Sequence, residues 1–86
     1  MNEHVLPILF PLINPNEPEM IMVSIDVQQG QQIHRGQVLG VVETTKATAE
    51  ITAEGNGYIF LVHHQPGVMV RAGDLFGYLS PDPQFT

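Results

Sequence analysis

The sequence has no cysteine, which excludes disulfides, thiolate metal sites and cysteine nucleophiles. It has no tryptophan, and its few aromatics (Phe10, Tyr58, Phe60, Phe76, Tyr78 and Phe85) lie mostly in the second half. Basic side chains are scarcer still in effect. Only Arg35, Lys46 and Arg71 stand against nine acidic residues, giving a formal charge of −6. A surface that neutralises phosphates needs several lysines or arginines on one face, so the composition argues against nucleic acid and anionic membranes as partners. No stretch longer than a turn shows helical periodicity. The apolar N-terminal run HVLPILFPLI carries Pro7 and Pro11. It is short of the roughly 20 residues a membrane span needs and lacks the basic flank of a signal peptide. The expectation is a soluble, cytoplasmic protein.

What is present is enough for one small domain. The chain has 86 residues, of which 43% are apolar, a globular rather than a disordered composition. At this length folding buries only about 60% of the unfolded surface, so the core is modest. Residues 1–80 read as a single domain, and residues 81–86, Pro-rich and polar, as a linker-like tail.

The chain repeats itself. IMVSIDVQQGQQIHRGQVLGVV, from Ile21 to Val42, overlays without gaps on YIFLVHHQPGVMVRAGDLFGYL, from Tyr58 to Leu79. Gly30 meets Gly67, Gly36 meets Gly73 and Gly40 meets Gly77, and apolar positions coincide along the overlay. Two copies are too few for a solenoid but suffice for one domain of two similar halves related by a pseudo-twofold axis. Each half reads as β. Ile21, Val23, Ile25 and Val27 alternate with Met20, Met22, Ser24 and Asp26, and Ala47, Ala49 and Ile51 alternate with Thr48, Glu50 and Thr52, the period of half-buried strands. Glycines punctuate these runs where turns belong. Pro7 marks the first strand as an edge or irregular strand. The fold class is all-β, a sandwich or flattened barrel.

The only lysine lies between the copies, in VVETTKATAE. A strand ending near Glu43 must reverse to meet one starting near Ala47, so Thr44, Thr45 and Lys46 form the tip of a β-hairpin of open turn type. In the second half the pseudo-equivalent of this tip falls in the C-terminal tail. A first strand around Ile8 to Phe10 then completes the second half as Ala47 to Thr52 complete the first, and the chain ends should sit together, opposite Lys46. A surface lysine is ordinarily protonated and a poor nucleophile. Nothing in ETTKAT desolvates it or sets a second cation beside it, so a Schiff-base role is disfavoured. Acylation by an outside enzyme suits an accessible tip and would take the formal charge from −6 to −7.

With the repeat and the hairpin in place, the sequence resembles the biotinyl/lipoyl attachment domains. The resemblance covers roughly Leu6 to Ser80, and its best local match is ETTKATAEITAEGNGYI, close to the lipoyl pattern Glu-Thr-Asp-Lys-Ala followed by an alternating strand and a glycine. VQQGQQIHRGQVLGVVE upstream and VHHQPGVMVRAGDLFGYL downstream also match. The resemblance implies a flattened barrel of two four-stranded antiparallel sheets with lipoate or biotin in amide linkage on Lys46. Glu43, Thr44, Thr45 and Ala47 become the flank that a lipoate-attaching ligase or transferase reads. Acyl-donor and acyl-acceptor enzymes become the partners of a monomeric, non-catalytic carrier whose cofactor performs the chemistry, as a free protein or part of a larger acyltransferase or multi-enzyme system. Biotin-accepting domains place methionines on both sides of the lysine. Here the neighbours are Thr45 and Ala47, and Glu43 also fits the lipoyl pattern, so lipoate is favoured and biotin is the alternative. The pattern is departed from twice: Thr45 stands where an acidic residue is usual, and the loop LINPNEPE lacks glycine.

Other constellations carry less. A lysine in a surface turn is, on its own, usually just solvated, and the second reading is an unmodified module of the same fold that uses its acidic surface for protein contacts. His63 and His64, adjacent in an expected strand, point to opposite faces and are poorly placed to share a metal. His4 and His34 have no ligand-spaced partner. Ser24 and Ser80 lie in no nucleophile elbow, and GNGYIF lacks the third glycine and the helix of a dinucleotide fingerprint. Arg35 and Arg71 are expected in solvated loops.

Overall fold

Alternating apolar residues broken by obligatory glycines produce eight short strands. A computed structural model of the chain describes residues 5–62 and 65–83. The strands are β1 (Leu6–Leu9), β2 (Glu19–Ile25), β3 (Gln32–Ile33), β4 (Val38–Glu43), β5 (Thr48–Thr52), β6 (Gly57–Leu61), β7 (Met69–Arg71) and β8 (Leu75–Ser80). They form two four-stranded sheets, ordered β1-β8-β6-β3 and β5-β4-β2-β7, with every pairing antiparallel. The expected two-sheet, all-β architecture is therefore what the chain adopts.

The sheet orders express the repeat. Exchanging β1 with β5, β2 with β6, β3 with β7 and β4 with β8 turns one sheet into the other. The backbone hydrogen bonds obey the same exchange. Gly30 N donates to Ile59 O at 2.7 Å, and Gly67 N to Met22 O at 2.7 Å. Gly36 N donates to Ala53 O at 2.8 Å, and Gly73 N to Phe10 O at 2.9 Å. These four glycines have φ between 82° and 89°, a backbone conformation that a side chain disfavours. That requirement is why they recur in register.

Each sheet draws strands from both halves. β3 of the first copy pairs with β6 of the second, and β7 of the second pairs with β2 of the first. One cluster fills the space between the sheets, with Met20, Met22, Ile33, Leu39 and Val42 meeting Ile59, Val70, Phe76 and Leu79. Phe10 and Phe76 pack edge to face at 5.5 Å, a favoured aromatic geometry. Ser80 is the one buried polar side chain among the described residues, and its Oγ accepts from Asp82 N at 3.0 Å.

Along β2 the alternation holds, but the inward set is Met20 and Met22, while Ile21 and Val23 are 37% and 43% exposed. All four are apolar, so periodicity alone does not choose a face. A register shift between Met22 and Ser24 then returns Val27 to the core. β1 is an edge strand with a shift between Ile8 and Leu9, as Pro7 suggests. Arg71, expected in a loop, instead ends β7, where the ladder pairs it with Glu19 and the side chains form an ion pair at 3.2 Å. His4, His63, His64 and the last residues of the tail lie outside the described residues.

Within each sheet, neighbouring strands approach closely at equivalent glycines, β4 against β2 in one and β8 against β6 in the other. A Cβ on Gly40 would stand 2.7 Å from Ser24 O, and one on Gly77 would stand 2.6 Å from Phe60 O. Both obstacles are backbone atoms, so the strands themselves would have to part. Gly40→Ala and Gly77→Ala are each expected to cost about 1–3 kcal/mol, as overpacking does. Urea unfolding checks this, and the near-equivalence of the two losses tests the pseudo-symmetry.

Candidate functional site at the central hairpin

The β4–β5 ladder ends at the pair Glu43 and Thr48, leaving Thr44, Thr45, Lys46 and Ala47 as the connecting loop. A four-residue connection must satisfy its own amides or leave them to water, and here every one is bound. Thr44 N donates to Ala47 O at 2.8 Å. Lys46 N and Ala47 N both donate to Thr44 Oγ1, at 3.3 and 3.2 Å. Thr44 thus folds the loop over its own hydroxyl, a side-chain turn of the kind threonine supports.

The remaining amide is held from elsewhere in the chain. Thr45 N donates to Glu17 Oε2 at 3.2 Å, and Thr45 Oγ1 lies 2.9 Å from both Glu17 carboxylate oxygens. Glu17 comes from the connection between β1 and β2. That connection is stiffened by Pro15 and Pro18, by the Asn14–Glu17 bridge and by Asn14 Oδ1, which accepts from Asn16 N at 3.0 Å. Ala72 N donating to Pro18 O at 2.8 Å ties its far end to the turn after β7. The glycine-free loop is therefore a rigid strut that ends on the tip.

All the expected flank residues gather at the tip. Glu43, Thr45, Lys46 and Ala47 are exposed, and Thr44 is half-buried because its hydroxyl turns inward to the loop amides. Among the described residues the Lys46 ammonium has neither hydrogen bond nor ion pair, the Glu17 and Glu19 carboxylates being directed to Thr45 and Arg71. Beside the tip an open depression of about 330 Å³ has Glu17, Glu19 and Glu43 on its rim over Met20, Ile21 and Met69. Glu17 is the contact at the tip that sequence reasoning misses, because 28 positions separate it from Thr45 and no periodicity links them.

The start of β1 and the end of β8 lie at the other end of the barrel. Leu6 pairs with Leu79 across β1 and β8. β5 leads away from the tip for about 17 Å at strand rise. Past its end, Leu6 abuts Gly55 and Ser80 abuts Gly57. The body is elongated, 37 by 21 by 21 Å. The tip thus projects from the end opposite the first and last strands' termini.

No side chain at the tip pairs a nucleophile with a base, and among the described residues no three His, Cys, Asp or Glu side chains converge on a metal position. What the geometry offers is a free primary amine on a fixed mount.

Comparison with known proteins agrees with that description. The family described as biotin-requiring enzyme, the biotinyl/lipoyl group, matches residues 8–79. The lipoamide acyltransferase component of the branched-chain alpha-keto acid dehydrogenase complex of Pseudomonas aeruginosa is 38% identical over 76 residues, which are 87% of this chain and 17% of the relative. The chain therefore spans about a sixth of that relative's length. The solution structure of the lipoyl domain of the 2-oxoglutarate dehydrogenase complex from Azotobacter vinelandii superposes with a TM-score of 0.71 at 25% identity, covering 87% of this chain and 95% of that one.

The Thr44 hydroxyl is the keystone of the loop, and Thr44→Val removes it while keeping the shape. Two amides then lose their acceptor, at about 0.5–1.5 kcal/mol for a typical hydrogen bond. The Lys46 and Ala47 amides are expected to exchange with solvent about tenfold faster, with the amides of β6 and β8 unchanged. Hydrogen exchange followed by NMR checks both.

Proposed function

This chain belongs to the biotinyl/lipoyl attachment family, and we propose that it is a carrier domain bearing lipoate in amide linkage on Nζ of Lys46. The observation that carries this reading is the unpartnered Lys46 amine on a loop whose four amides are all bound. The residues present fit the group. Lys46 supplies the amine, and the exposed Thr45 and Ala47 on either side leave it open to an enzyme's active site. Nζ is acylated by an activated lipoyl donor: the bond from the acyl carbon to its leaving group breaks, the C–N bond forms, and the ammonium gives up two protons.

Once attached, the dithiolane supplies the acyl-carrying and redox chemistry, and the protein supplies reach and position. The hairpin holds the attachment point while the long lysine stem swings. The start of β1 and the end of β8 lie at the opposite pole, which leaves the tip clear of them. Tethering makes each encounter with an acyl-donor or acyl-acceptor enzyme effectively intramolecular, raising the local concentration of the arm. Lipoate is preferred over biotin because Thr45 and Ala47, rather than methionines, flank Lys46, and because both named relatives above are lipoyl proteins. The reading makes the domain non-catalytic by itself.

Intact-mass measurement tests this on protein produced with active lipoate and biotin ligases in excess, beside Lys46→Arg. A lipoyl-sized gain that disappears in Lys46→Arg is the expected result. A biotinyl-sized gain would assign the other cofactor, and an unmodified wild-type chain would point to an interaction module of the same fold.

A further inference from the structure

Among the described residues the Glu17 clasp is the one long-range tie of the hairpin tip that uses side-chain chemistry. Its bonds are charge-assisted, the stronger class of hydrogen bond, although in water such contacts add little to overall stability. Their interest lies in where the charge is put. Thr45 precedes Lys46 directly and has no charge of its own, yet its amide and hydroxyl both bind one carboxylate. A half-buried glutamate from a proline-stiffened loop is thus fixed against the residue next to the lysine. Glu43 stays exposed at the end of β4, and Glu19 is taken up by Arg71. Glu17 is therefore the carboxylate whose position relative to the tip is set by the fold.

We propose that Glu17 is a positioning and specificity residue for the modification of Lys46: it acts as the acidic flank of the lysine, delivered from a different loop and held by Thr45. The inference rests on the carrier reading above. An enzyme that acylates Nζ must bring its acyl carbon to an exposed amine on a small acidic domain. A cationic side chain of that enzyme meeting the fixed Glu17 carboxylate would orient the tip, and complementary charge of this kind acts mainly on encounter and register. The clasp also stops Thr45 from turning, so the carboxylate and the lysine are presented in one fixed relation.

The test uses purified wild-type protein and a lipoate ligase with ATP and lipoic acid, following the lipoyl mass gain over time. Glu17→Gln keeps the shape and a carbonyl acceptor but removes the charge. It is expected to raise KM for the domain about tenfold with little change in kcat, and the difference from wild type should narrow at about 1 M salt, where the Debye length falls to about 3 Å. The double variant Glu17→Gln/Thr45→Asp returns a carboxylate to the tip by another route and is expected to recover to within about twofold of wild type. An unchanged thermal midpoint in each variant confirms that folding is intact. A Glu17→Gln rate within twofold of wild type overturns the proposal. So does a loss that Thr45→Asp does not rescue, which would make Glu17 a structural brace. If wild type itself accepts no lipoate, the carrier reading fails, a result distinct from either.

Discussion

Everything in this fold depends on the exchange of strands between its two halves. β3 leaves the first copy to pair with β6, and β7 leaves the second to pair with β2. Neither half alone has two complete sheets to enclose its apolar face. Met20, Met22, Leu39 and Val42 share one core with Ile59, Phe76 and Leu79 of the facing sheet and with Val70 of β7 beside them. The core is therefore a joint product, suited to a domain too small to hold two. The same exchange dictates which chain segments lie at each pole. One pole receives the connection between β4 and β5, and the other receives the ends of β1 and β8.

That asymmetry turns a nearly symmetric barrel into a carrier. At one pole the chain is continuous and tightly turned, and there the only lysine stands. At the other pole β1 begins and β8 ends. The two poles are made of equivalent strands, and they differ in that the backbone closes into a hairpin at only one of them. Fixing the tip has a physical use. A swinging arm searches a volume set by its own length, and a floppy mount would enlarge that volume and dilute the arm at each partner site. Thr44 closes the mount locally and Glu17 braces it from the connection between β1 and β2.

Much of this was legible in the residues. The repeat showed through because Gly30, Gly36, Gly67 and Gly73 answer a backbone demand that few other residues meet, so they stay in register while side chains around them differ. The edge position of β1 followed from Pro7, and the place of Lys46 followed from the gap between copies. Less was legible where several residues satisfy the same rule. Met20, Ile21, Met22 and Val23 are all apolar, and only the packed structure, with its register shift after Met22, turns the methionines inward. Arg71 joined a strand because the ladder reached it, a matter of pairing rather than of local pattern. The Glu17–Thr45 clasp had no signal in the sequence at all. It exists because the β1–β2 connection crosses the barrel end, and a contact across 28 residues leaves no local period to read.

Whether the lysine sits on a fixed mount is read most directly by backbone amide relaxation across Glu43 to Thr48, measured by NMR on the lipoylated protein. Order parameters of about 0.85 at Thr44, Thr45, Lys46 and Ala47, equal to those of β4 and β5, are predicted, with fast motion confined to the Lys46 side chain and its arm. Values below about 0.6 at those four amides would mean that the tip itself swings, and would contradict the picture of a braced hairpin carrying a mobile arm.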